Sequence, residues 1–171
     1  MKQCLHSLDL VLGLRLLQGD DTLQHLSDDL GVSISQVHAS VARLRTAQLL
    51  RADSRTVNRL SFEEFLLHGA RYVFAPEIGP EARGIPTAHA GPAFANHVVP
   101  TDPMVWPSPD GTMLGHALTP LYPAATRLPQ TSPETYRLLT LFDALRAGRA
   151  REKNLAREQL RSAIRAEHAV A

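Results

Sequence analysis

The distribution of proline constrains the fold of this chain more than any other feature of its sequence. All 12 prolines lie between Pro76 and Pro133, together with half of the 10 glycines. Proline lacks a backbone donor and clashes with the preceding helical turn, so long helices are excluded here and are free to form on either side. Within this segment, MVWPSPDGTMLGHAL predicts two short strands in a hairpin, and GIPTAHAGP predicts an extended loop. We expect residues 75–132 to be ordered but irregular, with a disordered linker as the alternative.

Apolar periodicity ahead of the prolines predicts three helices in quick succession. Steps of three and four residues define a first helix that ends near Gly19, formed by Leu5, Leu8, Val11, Leu12 and Leu16. A second, two-turn helix contains Leu23, Leu26 and Leu30, and Gly31 follows it where a left-handed C-cap is favoured. Ser33 and Gln36 then form the S-x-x-Q pattern of a capping box, so the third helix starts at once. Two short helices separated by such a sharp turn indicate a helix-turn-helix.

The third helix has an outward face of small, polar and basic side chains. On a helical wheel centred on Val37, the inward side holds Ile34, Val41, Leu44 and Arg45, and the outward side holds Ser35, Gln36, Ala39, Ala42, Arg43 and Thr46. Small side chains allow close approach to a macromolecule, and Gln and Arg suit the purine edges of a DNA major groove. The net charge changes sign at Gly31. Residues 1–30 carry two basic and five acidic side chains, whereas residues 31–60 carry five basic side chains and one acidic side chain. An ordinary solvated helix face is the alternative interpretation.

The stretch LSDDLGVSISQVHASVARLRTAQLLRAD resembles the winged helix-turn-helix of bacterial transcription regulators, the MarR-like group among them. The resemblance covers about residues 5–60. It implies that the third helix enters the major groove and that a following β-hairpin, the wing, touches the neighbouring backbone. The implied DNA contacts on the helix are Ser33, Ser35, Gln36, Ala39, Ser40 and Arg43, and those on the wing LLRADSRTVNRL are Arg51, Arg55 and Arg59. The remainder of the chain resembles only uncharacterised bacterial proteins and implies no activity.

Two further elements are predicted between the wing and the prolines. LSFEEFLLHG predicts a helix that begins with a capping box of Ser61 and Glu64 and ends at Gly69. RYVF, residues 71–74, predicts a single strand.

Helix returns at the last proline, with Ser132 as cap and Pro133 in the first helical position. This region contains about 30 helical residues, and Gly148 marks either a bend within one helix or a boundary between two helices. Its apolar stripes exceed what so small a core is expected to cover, so we expect them to pair two copies of the chain through Leu138, Leu141, Phe142, Leu145, Leu155, Leu160 and Ile164. Basic residues recur along the second half of this region. We interpret them as a solvated helix face in preference to a second phosphate-binding surface.

The sequence contains no pattern typical of an enzyme. Nucleotide-binding glycine loops, the G-x-S-x-G elbow and H-E-x-x-H are absent, and the histidines show no metal-ligand spacing. Cys4 is the only cysteine, which excludes an internal disulfide and fits a reducing cytoplasm. No apolar run approaches the roughly 20 residues of a membrane span. His89, beside Thr87 in a loop with Arg83, is a candidate contact for an anion or small ligand, although such histidines more often satisfy loop carbonyls.

Together these patterns predict a mainly α fold with a small β component. The expected division is a winged helix-turn-helix domain at 1–74, a proline-rich segment at 75–132 and dimerisation helices at 133–171. The expected function is that of a cytoplasmic regulator that binds double-stranded DNA as a homodimer, without metal or cofactor and with an unspecified effector. The alternative is a protein-interaction module, such as the antitoxin or regulatory partner of a protein from the same operon.

Overall fold

A computed structural model describes residues 4–97 and 99–166 of the chain. The three N-terminal helices are confirmed: α1 spans Ser7–Leu16, α2 spans Leu23–Leu30 and α3 spans Ile34–Thr46. Their caps are confirmed as well, because Gly31 ends α2 at a φ of 64° and Ser33 and Gln36 form the capping box of α3. Left-handed backbone of this kind favours glycine, which has no Cβ to clash with the following carbonyl.

The helix after the wing region differs from the prediction at both ends. It begins as α4, Arg59–Glu64, behind Asn58, continues through a π-helical turn at Phe65–Gly69, and ends as α5, Ala70–Val73. The predicted Ser61 and Glu64 capping box therefore lies inside the helix, and the predicted strand at residues 71–74 is wrong. Burial explains the continuation, because Ala70 is completely buried and must pack its small side chain against the core.

The proline-rich segment contains three strands that close into a small barrel. They are β1 at Ile78–Thr87, β2 at Met104–Pro107 and β3 at Met113–Leu118. The long β1 strand pairs antiparallel with both of the others, while β2 and β3 pair in parallel with each other. The two strands predicted around Pro-Asp-Gly are confirmed, but the hairpin is wrong, since β1 supplies their antiparallel partner. The predicted loop GIPTAHAGP also begins as strand, because residues 84–87 belong to β1.

Glycine permits the close approach of these strands. A Cβ on Gly84 would lie 2.1 Å from the carbonyl oxygen of Trp106, and one on Gly111 would lie 2.3 Å from the backbone of Gly84. Both distances are far below van der Waals contact. The barrel could not close at this point with larger residues.

Short α6, at Leu128–Thr131, leads into two longer helices, α7 at Pro133–Ala147 and α8 at Ala150–Arg165. The predicted division at Gly148 is confirmed, and the two helices pack against each other. The prediction that their apolar stripes lack a partner within the chain is wrong. Six of the seven residues assigned to dimerisation are buried in the core and Leu155 packs against it, the six being Leu138, Leu141, Phe142, Leu145, Leu160 and Ile164.

A single hydrophobic core holds the described residues together. It includes residues from all three predicted segments, among them Leu12 from α1, Trp106 from β2 and Phe142 from α7. The mixed fold, with helices and a small sheet, is confirmed. The predicted segments share one core, and their ends at residues 1–3 and 167–171 lie outside the described residues. No helix in the described ranges is both long enough and apolar enough to cross a membrane.

Candidate nucleic-acid interface

The turn between α2 and α3 is fixed by hydrogen bonds on both sides of Gly31. The Ser27 hydroxyl donates to the carbonyl of Val32 at 2.5 Å. In the capping box, the backbone N–H of Gln36 donates to Ser33 Oγ at 3.2 Å, and the backbone N–H of Ser33 donates to the side-chain Oε1 of Gln36 at 2.9 Å. Buried leucines and valines lock the two helices together behind this turn, namely Leu26, Leu30, Val37, Val41 and Leu44.

The C-terminal half of the chain supports the end of α2 directly. The buried Tyr122 hydroxyl donates to the Leu30 carbonyl at 3.0 Å, and the Thr131 hydroxyl donates to the Asp29 carbonyl at 2.6 Å. Burial raises the pKa of Tyr122, so this donor stays protonated. Sequence patterns gave no sign of these contacts, since the partners lie about 100 residues apart.

One face of α3 points away from the protein and is composed of small and polar residues. Ser33, Ser35, Gln36 and Ala39 are exposed, as the sequence predicts for DNA contacts, and so are Ala42 and Thr46. His38 is exposed beside them and was not predicted. Ile34, assigned to the inward side, is 43% exposed and forms the edge of this face. We call the exposed set Ser35, Gln36, His38, Ala39 and Ala42 the α3 face.

Two of the predicted helix contacts are not free to read bases. Ser40 is completely buried, and its hydroxyl donates to Asp9 Oδ1 at 2.6 Å. The Arg43 side chain is 11% exposed and forms an ion pair with Asp9, which is 1% exposed. The hydrogen bonds that Arg43 donates to Asp9 raise the pKa of Arg43, so its guanidinium stays charged. The helical wheel itself places Ser40 within about 60° of Val37, so periodicity could have identified it as inward, whereas the contact between α1 and Arg43 has no local signal.

The predicted wing is a loop closed by a single β-bridge. Leu50 and Val57 pair antiparallel, and the Arg51 amide donates to the Thr56 carbonyl at 2.9 Å. Arg45 of α3, assigned to the inward side by the wheel, is exposed and donates from Nε and Nη2 to the Ser54 carbonyl at 3.2 Å. We use wing loop for residues 51–56, a much shorter structure than a β-hairpin of two strands.

The three arginines predicted on the wing have separate environments. Arg51 is exposed and its side chain has no ion pair or hydrogen bond within residues 4–97 and 99–166. Arg55 donates to Asp20 Oδ1 at 2.6 Å and to the Asp21 carbonyl at 2.7 Å. Arg59 is the first residue of α4 rather than part of the wing loop, and it donates to the Ile164 carbonyl of α8. Arg51 and Arg55 therefore lie in the wing loop, and Arg59 lies outside it.

Depressions lie on both sides of the α3 face. One of about 220 Å³ separates α3 from the wing loop and is bordered by His38, Arg45 and Arg55. The other, of about 450 Å³, lies between α3, the start of α1 and residues 121–124. Arg45 gives the first depression an exposed basic group next to the α3 face, whereas Arg55 is paired with Asp20.

Other chemistry has little support on this surface. No cluster of three His, Cys, Asp or Glu side chains within the described ranges is arranged to hold a metal ion. Cys4 is exposed and unpaired with any other cysteine, since the chain has only one.

Comparisons with known protein families, curated proteins and solved structures find no match to this chain.

Proposed function

We propose that this protein is a transcription regulator that binds double-stranded DNA in a sequence-specific manner, with α3 in the major groove. The α3 face carries this proposal, because it exposes small side chains along a helix that the turn at Gly31 sets apart from α2. The 13 residues of α3 extend over about 20 Å, and a major groove about 12 Å wide admits a helix of this size.

The side chains on the α3 face suit direct contact with base edges. Ala39 and Ala42 add little bulk, so the helix can approach closely, and their methyl groups can pack against the thymine methyl. Gln36 keeps its Nε2 donor while its Oε1 accepts from Ser33. A donor at this position matches the acceptors N7 and O6 of guanine or N7 of adenine.

Basic groups beside the α3 face supply contacts to the DNA backbone. Arg45 borders the depression next to α3, and Arg51 is exposed on the wing loop. Such contacts add affinity without sequence preference and fix the orientation of the reading helix. Arg43 and Ser40 act instead by holding α3 against α1 through Asp9.

We retain the homodimer as part of the proposal, with an interface other than the buried α7 and α8 stripes. A single recognition helix reads only a few base pairs, and two-fold pairing doubles the site. Light scattering of the full chain measures this directly. A selected DNA site that contains two inverted half-sites about 34–36 Å apart is the matching expectation.

The deciding experiment selects bound duplexes from a random library at 150 mM salt and then compares variants on the selected sequence. Ala39→Glu places a negative charge on the α3 face and should lower affinity by at least tenfold, because it repels phosphate and blocks close approach. Ala150→Glu, at the exposed start of α8, is the matched control and should bind normally. Equal affinity of the wild-type protein for selected and random duplexes would overturn the proposal and favour the protein-interaction alternative.

A further inference from the structure

The anion contact predicted for His89 does not form. Its expected partners are engaged elsewhere, since Thr87 donates to the buried Asp143 and Arg83 donates to a backbone carbonyl. The His89 ring instead faces the Glu152 carboxylate, with Nδ1 at 3.8 Å from Oε2. An anion at this position would therefore be repelled by a negative charge.

Exposed apolar side chains are concentrated on the helix that α4, the π-helical turn and α5 form together, which we call the 59–73 helix. Three of its large apolar residues are exposed to solvent, Leu60 at 81%, Tyr72 at 70% and Val73 at 61%. The opposite side of the helix packs into the core through four buried side chains, Phe62, Leu66, Leu67 and Ala70. Exposed apolar side chains grouped on one element are typical of a surface that contacts another macromolecule.

Four exposed side chains lie in a row along the 59–73 helix at intervals of four residues, namely Leu60, Glu64, His68 and Tyr72. In a regular α-helix such a row drifts by about 40° per step, because four residues exceed one turn of 3.6. The π-helical turn at Phe65–Gly69 opposes this drift, since its i→i+5 hydrogen bonds place more residues in each turn. The row therefore stays on one side of the helix over a length of about 18 Å.

The order of the four side chains is complementary to itself when a second copy of the helix lies antiparallel to the first. Leu60 then lies opposite Tyr72 of the second copy and Glu64 lies opposite His68, because both pairs are centred on position 66. A two-fold axis at this level makes each contact twice, as in other symmetric dimers. Each Glu64 carboxylate meets an imidazole N–H, and each leucine meets the face or edge of an aromatic ring.

Arg71 adds positive charge to the half of the helix that contains His68. Its guanidinium lies over the Tyr72 ring, 4.6 Å from the ring centre, and donates to the Tyr72 hydroxyl. In the antiparallel pair this guanidinium lies only about 4.5 Å along the axis from Glu64 of the second copy. The Glu64 side chain has no ion pair within residues 4–97 and 99–166, so it is available for this contact. A parallel pair would place like charges opposite each other, which is unfavourable.

We propose that two copies of this chain associate through antiparallel pairing of their 59–73 helices, with Leu60 against Tyr72 and Glu64 against His68. The inference rests on the homodimer of the proposed function and names the surface that forms it. One pair of helices buries less than the roughly 1,600 Å² of a standard interface, so we expect association only at micromolar concentrations and above. Unfolding measured well below that range reports on the single chain.

The experiment measures the mass of the full chain by sedimentation equilibrium, without DNA, from low micromolar to near-millimolar concentration. Glu64→Lys should weaken association at least tenfold, because positive charges then face each other across the pair. His68→Glu should weaken it similarly, because two carboxylates then face each other. The double variant Glu64→Lys with His68→Glu should associate again, since the opposite charges have exchanged positions. Glu158→Lys makes the same change of charge at an exposed position of α8 and should leave association unchanged.

Leu60→Ala tests the apolar contact separately. Leu60 is 81% exposed, so its truncation should leave the single chain folded, and it should weaken association at least fivefold because the contact occurs twice in each dimer.

Each failure has a distinct meaning. A wild-type chain that stays monomeric at every concentration would overturn both this inference and the homodimer, and it would assign the exposed row to a different protein, while duplex selection still decides DNA binding. A dimer that Glu64→Lys, His68→Glu and Leu60→Ala leave intact would reject this surface alone. A double variant that associates no better than the two single variants would reject the antiparallel arrangement.

Discussion

Arg43 donates two hydrogen bonds to the carboxylate of Asp9, from Nε to Oδ2 at 2.8 Å and from Nη2 to Oδ1 at 2.7 Å. The same carboxylate accepts the Ser40 hydroxyl at 2.6 Å and the His6 amide at 2.7 Å. Asp9 is 1% exposed, so this charge is viable only with these donors in place. The pair therefore fixes the angle between α1 and α3 and holds the α3 face in position.

Arg43→Ala should lower the free energy of unfolding by about 3 kcal/mol, because it leaves the buried Asp9 carboxylate without its counter-ion. Urea unfolding at pH 7 measures the loss. Arg51→Ala is the matched control, since that arginine is exposed, and its effect should stay within about 0.5 kcal/mol. An Arg43→Ala protein with wild-type stability and altered base preference would contradict this role and return Arg43 to the set of DNA-reading residues.

A second buried carboxylate, Asp143 of α7, joins the barrel to the helices. It is completely buried and accepts from Thr87 Oγ1 at 2.6 Å, from Trp106 Nε1 at 2.7 Å and from Arg146 Nε at 2.8 Å. The Arg146 side chain is 3% exposed. Asp143→Ala should destabilise the fold by about 3–5 kcal/mol, because it leaves the buried Arg146 guanidinium without its counter-ion. Urea unfolding followed by Trp106 fluorescence measures the change.

Thr87→Val tests the same network more gently. It removes one donor to Asp143 at nearly constant volume and should cost about 1 kcal/mol. If Asp143→Ala costs no more than Thr87→Val, then the charge of Asp143 contributes nothing beyond a neutral hydrogen bond and the explanation fails.

Local sequence patterns were sufficient to predict the elements whose contacts join residues close together in the sequence. The turn at Gly31 and the capping box of Ser33 and Gln36 use atoms within six residues of one another, so their chemistry is visible in the sequence. The exposure of Ala39 follows in the same way from helical periodicity. Homodimerisation and DNA binding remain predictions.

The features that sequence patterns missed depend on contacts between distant segments. Strand β1 contains Gly79, Pro80, Gly84 and Pro86, which weaken any strand signal, and it forms because β2 and β3 supply partners about 20–40 residues away. The apolar stripes on α7 suggested a free surface only because the contacts of α7 with α8, with α1 and with the short turns that follow β1 were not anticipated. The ion pair of Arg43 with Asp9, 34 residues away, is of the same kind.

Glu63 of α4 provides a pH-dependent link to α8. It accepts from Arg165 Nε at 2.8 Å and Nη2 at 2.7 Å and from Arg161 Nε at 3.3 Å. The hydrogen bonds from Arg165 are the main cause that lowers the pKa of Glu63. A carboxyl whose pKa is lower in the folded state stabilises the protein above its ordinary pKa, about 4.3, and loses that contribution as the pH falls through the folded value.

Glu63→Gln should therefore reduce stability at pH 7 by about 1 kcal/mol or less, because the arginines are partly exposed and solvent screens the pair. The difference between this variant and the wild-type protein should shrink as the pH falls below about 4.3. Urea unfolding at pH 7 and pH 3 measures it. Glu64→Gln, an exposed neighbour, should show no such difference, and a gap at pH 7 that persists unchanged at pH 3 would rule out the ionic explanation.

Arg51 on the wing loop is the clearest candidate for contact with a DNA phosphate. It is exposed and its side chain is not engaged within the described ranges, whereas Arg55 is paired with Asp20. Neutralising one phosphate releases about one counter-ion, so Arg51→Ala should lower the magnitude of the salt slope of binding by about one and weaken binding to all sequences alike. Titrations of the selected and a scrambled duplex between 50 and 200 mM salt measure both effects.

Arg151→Ala separates this contact from the overall charge of the protein. Arg151 is an exposed arginine on α8, distant in sequence from the α3 face, and its loss should leave the salt slope unchanged. A change confined to the selected duplex would mean that Arg51 reads a base rather than a phosphate. Equal slopes for Arg51→Ala and the wild-type protein would mean that the wing loop does not reach the DNA backbone, and α3 would then bind without a wing.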